Sequence, residues 1–206
     1  MINDKVREVL VRIPSAWGDG NVQGHVLFVD WLIEEMQPKV TVDLGIDYGY
    51  SLIAFAHNNP GKVYGIDGFE GDVWTGERNT YDQVSGYVTN LQLNNVTLIK
   101  GFFDDVVKTW DTKIDILHID GFHSYEAVKN DFEKWSGFVN STGVILFHDT
   151  DSHDSRFGVK QFFSEIDMPK HELFGFQGLG IVSNNKKLMK KIKEYTPWSN
   201  KVFSQT

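Results

Sequence analysis

Five short apolar runs punctuate the chain, at residues 40–44, 62–66, 96–100, 114–119 and 144–147. Most are apolar on both faces rather than alternating, the pattern of strands buried on two sides. Between them lie stretches with helical spacing at 50–57, 81–92, 104–109, 125–135 and 157–166, and another at 25–36 precedes the first strand. Strands alternating with helices predict a parallel sheet covered on both faces. The alternation then breaks. Two strand-like runs, 171–176 and 179–183, are separated only by Gln177-Gly178. So short a connection excludes a right-handed crossover and requires an antiparallel pair. The expected fold is α/β and Rossmann-like. It has a seven-stranded, mostly parallel sheet, helices on both faces and a C-terminal antiparallel hairpin.

The 206 residues, 41% of them hydrophobic, suffice for one such domain with a sizeable core. No repeat, linker or low-complexity stretch divides them. The expected organisation is an N-terminal helical cap over 1–39, a core over 40–183 and a C-terminal tail over 184–206. The formal net charge is −8 and no stripe of Lys or Arg is present, which argues against nucleic acid as a partner. Lys186, Lys187, Lys190, Lys191 and Lys193 are spaced like the solvated face of a helix. The absence of cysteine excludes disulfides and thiolate metal sites. No apolar run is long enough to span a bilayer, and no apolar signal region follows Met1, so a cytoplasmic location is expected. Assembly into an oligomer stays open.

The first strand runs into a glycine turn, Val42-Asp43-Leu44-Gly45-Ile46-Asp47-Tyr48-Gly49-Tyr50-Ser51. Glycines here allow close backbone approach to a ligand, and Ser51 is a candidate cap for the helix that follows. Free N–H groups at such a turn suit the carboxylate of a methionine moiety. The second strand ends in Asp67, followed by Gly68, at the switch point of an open parallel sheet. An acid there can accept hydrogen bonds from both hydroxyls of a ribose. Turn and acid together predict an adenosine cofactor, S-adenosylmethionine (SAM). The expected cofactor set is Asp43, Gly45, Gly49, Tyr50, Ser51, Asp67, Gly68, Phe102 and Asp120. NAD is the competitor, but position 47 is Asp where a pyrophosphate loop needs glycine.

The fourth and fifth strands carry the reactive candidates. Ile119-Asp120-Gly121-Phe122-His123 follows one, and Phe147-His148-Asp149-Thr150 follows the other. Two carboxylates at one rim of a sheet repel unless a cation or proton lies between them. Asp120 and Asp149 are therefore candidate ligands for Mg²⁺ or Mn²⁺, with His148, Thr150 or Asp151 as a third. Direct binding of substrate by Asp149 without metal is the alternative. A divalent ion would lower the pKa of an acceptor hydroxyl for attack on a sulfonium methyl. His123 is the first candidate base and His148 the second.

The stretch from Leu117 to Thr150, with Ile119-Asp120-Gly121-Phe122-His123-Ser124-Tyr125-Glu126 at its heart, resembles a bacterial group of class I methyltransferases. That group is related to macrocin O-methyltransferase and cephalosporin hydroxylase-like proteins, and its members often accompany glycosyltransferases. The glycine turn, Gly71-Asp72 and residues 157–160 and 175–180 share the likeness, which covers residues from about Trp17 to Ser183. The resemblance implies a SAM-dependent O-methyltransferase acting on a hydroxyl of a small polyhydroxylated acceptor, such as a sugar or a glycan-linked metabolite. It also implies acids at Asp120 and Asp149 as metal ligands. Many relatives carry an acid where Phe122 stands, which places the base role here on His123. The polar and aromatic loop over 68–81 offers Trp74, Glu77, Arg78 and Tyr81 to a sugar, and Trp17 and His25 are further candidates.

Two other functions compete. An NAD-dependent oxidoreductase or epimerase would use a Tyr-x-x-x-Lys helix, a spacing that Tyr125 and Lys129 possess. A non-catalytic SAM-binding module would share the cofactor half and lack turnover.

Overall fold

The computed structural model describes residues 2–15, 24–73 and 76–195. Helix α1 (Asp4–Leu10) starts where the Asn3 side chain accepts the Val6 N–H, and buries Val6, Val9 and Leu10 as one stripe. Helix α2 (His25–Met36) ends at Gln37, whose φ of 46° is left-handed, just before Pro38. The chain then enters β1 (Val40–Leu44), α3 (Tyr50–Ala56) and β2 (Lys62–Asp67). A short antiparallel ribbon, β3 (Gly71–Asp72) with β4 (Gly76–Glu77), occupies the loop before α4 (Tyr81–Asn90). There follow β5 (Val96–Lys100), α5 (Phe103–Val106), β6 (Ile114–Ile119), α6 (Tyr125–Trp135) and β7 (Val139–His148). Helix α7 (Val159–Glu165), β8 (Lys170–Leu173), β9 (Leu179–Val182) and α8 (Lys186–Glu194) complete the order.

The sheet runs β5-β2-β1-β6-β7-β9-β8, with the first five strands parallel and β9 antiparallel to both neighbours. The expected seven-stranded architecture is therefore present. Side chains alternate between two cores, as the period of a strand requires. In β7, Val144 and Leu146 join the core under α1–α3 and α8, while Ile145 and Phe147 join the one under α6 and α7. The start of the tail belongs to the fold, because α8 buries Leu188, Met189 and Ile192 and turns its lysines outward.

Two boundaries differ from the sequence pattern. Strand β7 begins at Val139, ahead of the apolar run, because Val139 pairs with Ile114 before a register shift. The hairpin turn is longer than Gln177-Gly178. Strand β8 stops at Leu173, and residues 175–178 all take positive φ, which breaks the ladder. Among the described residues no helix is long and apolar enough to cross a membrane.

Candidate active site

The direction of strand order reverses between β1 and β6, and the loops leaving β1, β2, β5, β6 and β7 open there onto one cavity of about 1160 Å³. Gly45 stands at the join. Its φ is +87°, and a Cβ on it would lie 2.0 Å from the Asp120 carbonyl oxygen. The exit of β6 thus packs directly on the glycine turn. Gly49, at φ +86°, is the N-cap of α3.

Asp67 braces the same turn. Its Oδ2 accepts the Ile46 and Asp47 N–H groups at 2.9 Å each, and Oδ1 accepts the Phe69 N–H at 2.6 Å. Burial pushes this carboxyl up, against the pull of those three donors. Asp67, Gly68, Gly45, Tyr50, Ser51, Phe102 and Asp120 all line the cavity. Asp43 does not. It is fully buried beneath the turn, where Oδ2 accepts from Ser51 Oγ at 2.7 Å and Oδ1 meets His118 Nδ1 at 2.6 Å. Ser51 accordingly spends its hydroxyl on Asp43 and leaves α3 without a side-chain cap.

The other wall is a compact charged cluster. Asp120, His123 and Asp149 each bring a ligand atom within 4.8 Å of the others. His123 Nε2 lies 2.9 Å from Asp149 Oδ2 and 3.7 Å from Asp120 Oδ1. His148 Nδ1 lies 3.4 Å from Asp120 Oδ1 and 3.3 Å from Asp149 Oδ2. Burial opposes charge on all four groups, and their mutual attraction overrides it. His123 is lifted to about 9 by the hydrogen bonds it donates to Asp120 and Asp149, and His148 is raised by their charges. Asp120 and Asp149 are held below the usual carboxylate range, chiefly by the charge of His148. At neutral pH an ion-free cluster therefore holds His123 protonated, so His123 acts as a base only after losing a proton.

Backbone strain concentrates here. Asp149 itself has φ 63°, and the turn at 175–178 presents the Phe176 carbonyl to two imidazoles. His148 and His25 each donate Nε2–H to that oxygen at 3.1 Å. That bond turns His148 so that Nδ1 faces the two carboxylates. Burial, with His148 second, lowers His25 to about 3, so His25 stays neutral.

Several expected residues lie elsewhere. Thr150 is buried away from the cavity, its Oγ1 against Gly178, and Asp151 pairs with Lys160. Arg78 forms an ion pair with Asp47 at 2.6 Å and covers the Tyr48 ring, while Tyr81 packs edge-on against buried Phe69. Neither lines the cavity; Trp17 and Trp74 lie outside the described residues. The wall facing the cluster comes instead from Ser152, His153, Asp154 and Phe157, with Phe122 and Gln177. Phe157 stacks on His123 with ring centroids 4.2 Å apart and planes 3° apart. The Gly158 N–H fixes this loop by donating to the His123 carbonyl at 2.8 Å. The Tyr125–Lys129 pair demanded by an oxidoreductase is outside the cavity, where Tyr125 donates its hydroxyl to Glu165 and Lys129 pairs with Glu133.

These loops on this sheet define a class I, SAM-dependent methyltransferase. The chain belongs to the family described as "Methyltransferase domain", whose profile matches residues 42–150, from β1 to the end of the Asp149 loop. Protein y4gI of Sinorhizobium fredii is 31% identical over 173 residues, covering 80% of this chain and 19% of that protein. A protein of Acanthamoeba polyphaga mimivirus is 33% identical over 107 residues, covering 47% of this chain and 48% of its own. The chain thus spans a fifth to a half of the length of these curated relatives. Among solved structures, the O-methyltransferase from Bacillus cereus in complex with SAH superposes with a TM-score of 0.66 at 17% identity, covering 89% of this chain and 92% of the other. The O-methyltransferase TomG from Streptomyces achromogenes, in complex with SAM, gives 0.64 at 15% identity over 89% and 91% of the two chains. At those identities the likeness is one of fold.

Proposed function

We propose that this domain transfers the methyl group of SAM to a hydroxyl of a small, neutral, polyhydroxylated acceptor, a sugar or a glycan-linked metabolite, assisted by a divalent cation. The observation that carries this reading is the single cavity joining the glycine turn and Asp67 to the cluster of Asp120, His123 and Asp149. Gly45, Tyr50 and Ser51 would line the methionine end, with Gly49 behind them at the start of α3. Asp67 keeps about one of its four acceptor directions after bracing the turn, and that one would take a ribose hydroxyl. Gly68 and Phe102 would flank the rest of the nucleoside.

Asp120 and Asp149, with His148 Nδ1 in reach of both, form a donor set that fits a divalent ion and leaves His123 beside it. Imidazole among the carboxylates favours Mn²⁺ over Mg²⁺. When bound, such an ion lowers the pKa of an acceptor hydroxyl and orients its oxygen. His123 in its neutral form accepts the proton, and Phe157 stacked on it keeps water from one ring face.

The lining also favours a class of acceptor. Among the described residues of the cavity wall there is no Lys or Arg, and Asp120, Asp149 and Asp154 face the acceptor end. A phosphorylated or coenzyme A-linked acceptor would find no Lys or Arg there to pair with its phosphates. Phe122 and Phe157 offer flat faces, and Ser152, Asp154 and Gln177 offer polar groups, as a sugar requires. The resemblance to the macrocin O-methyltransferase group supports the same acceptor, and the O-methyltransferases with this fold support transfer to oxygen.

The test is methyl release from SAM over a panel of neutral and phosphorylated sugars, with EDTA and then Mn²⁺ or Mg²⁺. Asp67→Ala is expected to weaken SAM binding. Asp120→Ala is expected to leave it largely intact and abolish turnover. Full turnover in Asp120→Ala, or in EDTA, overturns the metal-assisted route, and SAM binding without turnover on any acceptor favours a non-catalytic module.

A further inference from the structure

We propose that Asp131 reads the adenine ring of the cofactor, its carboxylic acid form donating to N1 and accepting from the N6 amine. This rests on the cavity being a SAM site. Asp131 lies in the middle of α6 and is 6% exposed, yet it lines the cavity on the nucleoside side. It reaches the cavity past Gly121, the first residue after Asp120. A Cβ on Gly121 would lie 3.3 Å from Asp131 Oδ2 and 2.5 Å from the Phe103 ring. Gly121 is absent from the positive-φ residues, so space rather than backbone conformation bars a side chain there. Any larger residue would cover the carboxyl. Phe102, 71% exposed at the cavity edge, and Phe103 supply flat surfaces beside it, suited to a planar ring.

Among the described residues no cation is committed to Asp131. On α5, Asp104 takes Lys134 Nζ at 2.6 Å and Asn130 Nδ2 at 2.8 Å, and Asp105 pairs with Lys108. At the β6 exit, Asp120 and His123 are engaged in the charged cluster, and on α7 Glu165 is taken by Tyr125. Burial first, and then the Asp104 charge, push Asp131 up to about 7 against Asn130 and Lys134. A neutral carboxyl offers one donor and one acceptor side by side, complementary to the N1 and N6 edge. Its ionised form keeps the contact with N6 and sets a lone pair against N1.

The measurement is calorimetric affinity for S-adenosylhomocysteine between about pH 6 and about pH 8. Wild-type affinity is expected to fall about tenfold across that range, and Asp131→Asn, whose amide keeps the donor and acceptor at every pH, is expected to stay level. On the wild type alone, the 1-deaza analogue, lacking the N1 acceptor, is expected to bind about tenfold more weakly than the parent at about pH 6. An unchanged pH slope in Asp131→Asn, or equal affinity for the 1-deaza analogue, overturns this inference and leaves the SAM reading standing. No binding of S-adenosylhomocysteine by the wild type at any pH overturns both.

Discussion

Replacing Asp131 with Asn in the ligand-free domain should remove a pH-dependent loss of stability. The carboxyl moves from 3.8 to about 7 on folding, with burial as the main cause. Between those values the folded chain holds a proton that the unfolded chain has released. Stability contributed by this group is therefore complete below about 3.8, declines as pH rises, and is lost once pH passes about 7. At ~1.4 kcal/mol per pKa unit the full shift corresponds to roughly 4 kcal/mol. Local relaxation and water access reduce that, so about 2–4 kcal/mol is expected. A domain of this size is stable by roughly 5–15 kcal/mol, which makes the effect large enough to resolve. Urea unfolding of wild type and Asp131→Asn at about pH 4, pH 5.5 and pH 8 isolates it, since the other titrating groups cancel in the difference. The variant should gain on the wild type by that amount from the lowest to the highest pH. Parallel stability curves, separated by a constant within about 0.5 kcal/mol, would refute the placement of a neutral acid at this position.

Gly45→Ala should destabilise the domain by more than the roughly 1–2 kcal/mol of a left-handed alanine, because its Cβ meets the Asp120 carbonyl at 2.0 Å; chemical denaturation measures the loss, and a change under 1 kcal/mol would contradict the packing. Phe157→Ala should raise KM for the acceptor about tenfold while leaving the affinity for S-adenosylhomocysteine within about twofold. A loss confined to cofactor affinity would place the acceptor elsewhere.

Much of the architecture was legible because parallel strands advertise themselves. Ile114, Ile116, Leu117 and Ile119 are all buried, so their apolar run marks β6 without ambiguity. The first half of β7 carries Asn140, Ser141 and Thr142, which contact solvent or Asp115 at the sheet end and so leave no apolar signal. The turn at 174–178 was shortened by its pattern, since Phe174 and Phe176 look like strand residues and are in fact partners of the turn.

For the site, the strand-end acids Asp67, Asp120 and Asp149 were found because chain position alone puts them at the sheet rim. Local spacing says little about where a loop folds back. Phe157 folds back to stack on His123, whereas Arg78 is drawn to Asp47. Asp131 did leave a trace. It shares the inward stripe of α6 with Val128 and Trp135, and an acid in such a stripe marks either a strained core or a functional group.

The most direct measurement is a crystal structure grown with S-adenosylhomocysteine and Mn²⁺, using anomalous scattering at the manganese edge. A peak between Asp120 and Asp149, with the cofactor sulfur opening toward it and the ribose against Asp67, is the predicted result. A cofactor lying outside this cavity, or manganese bound away from those two side chains, would contradict the account.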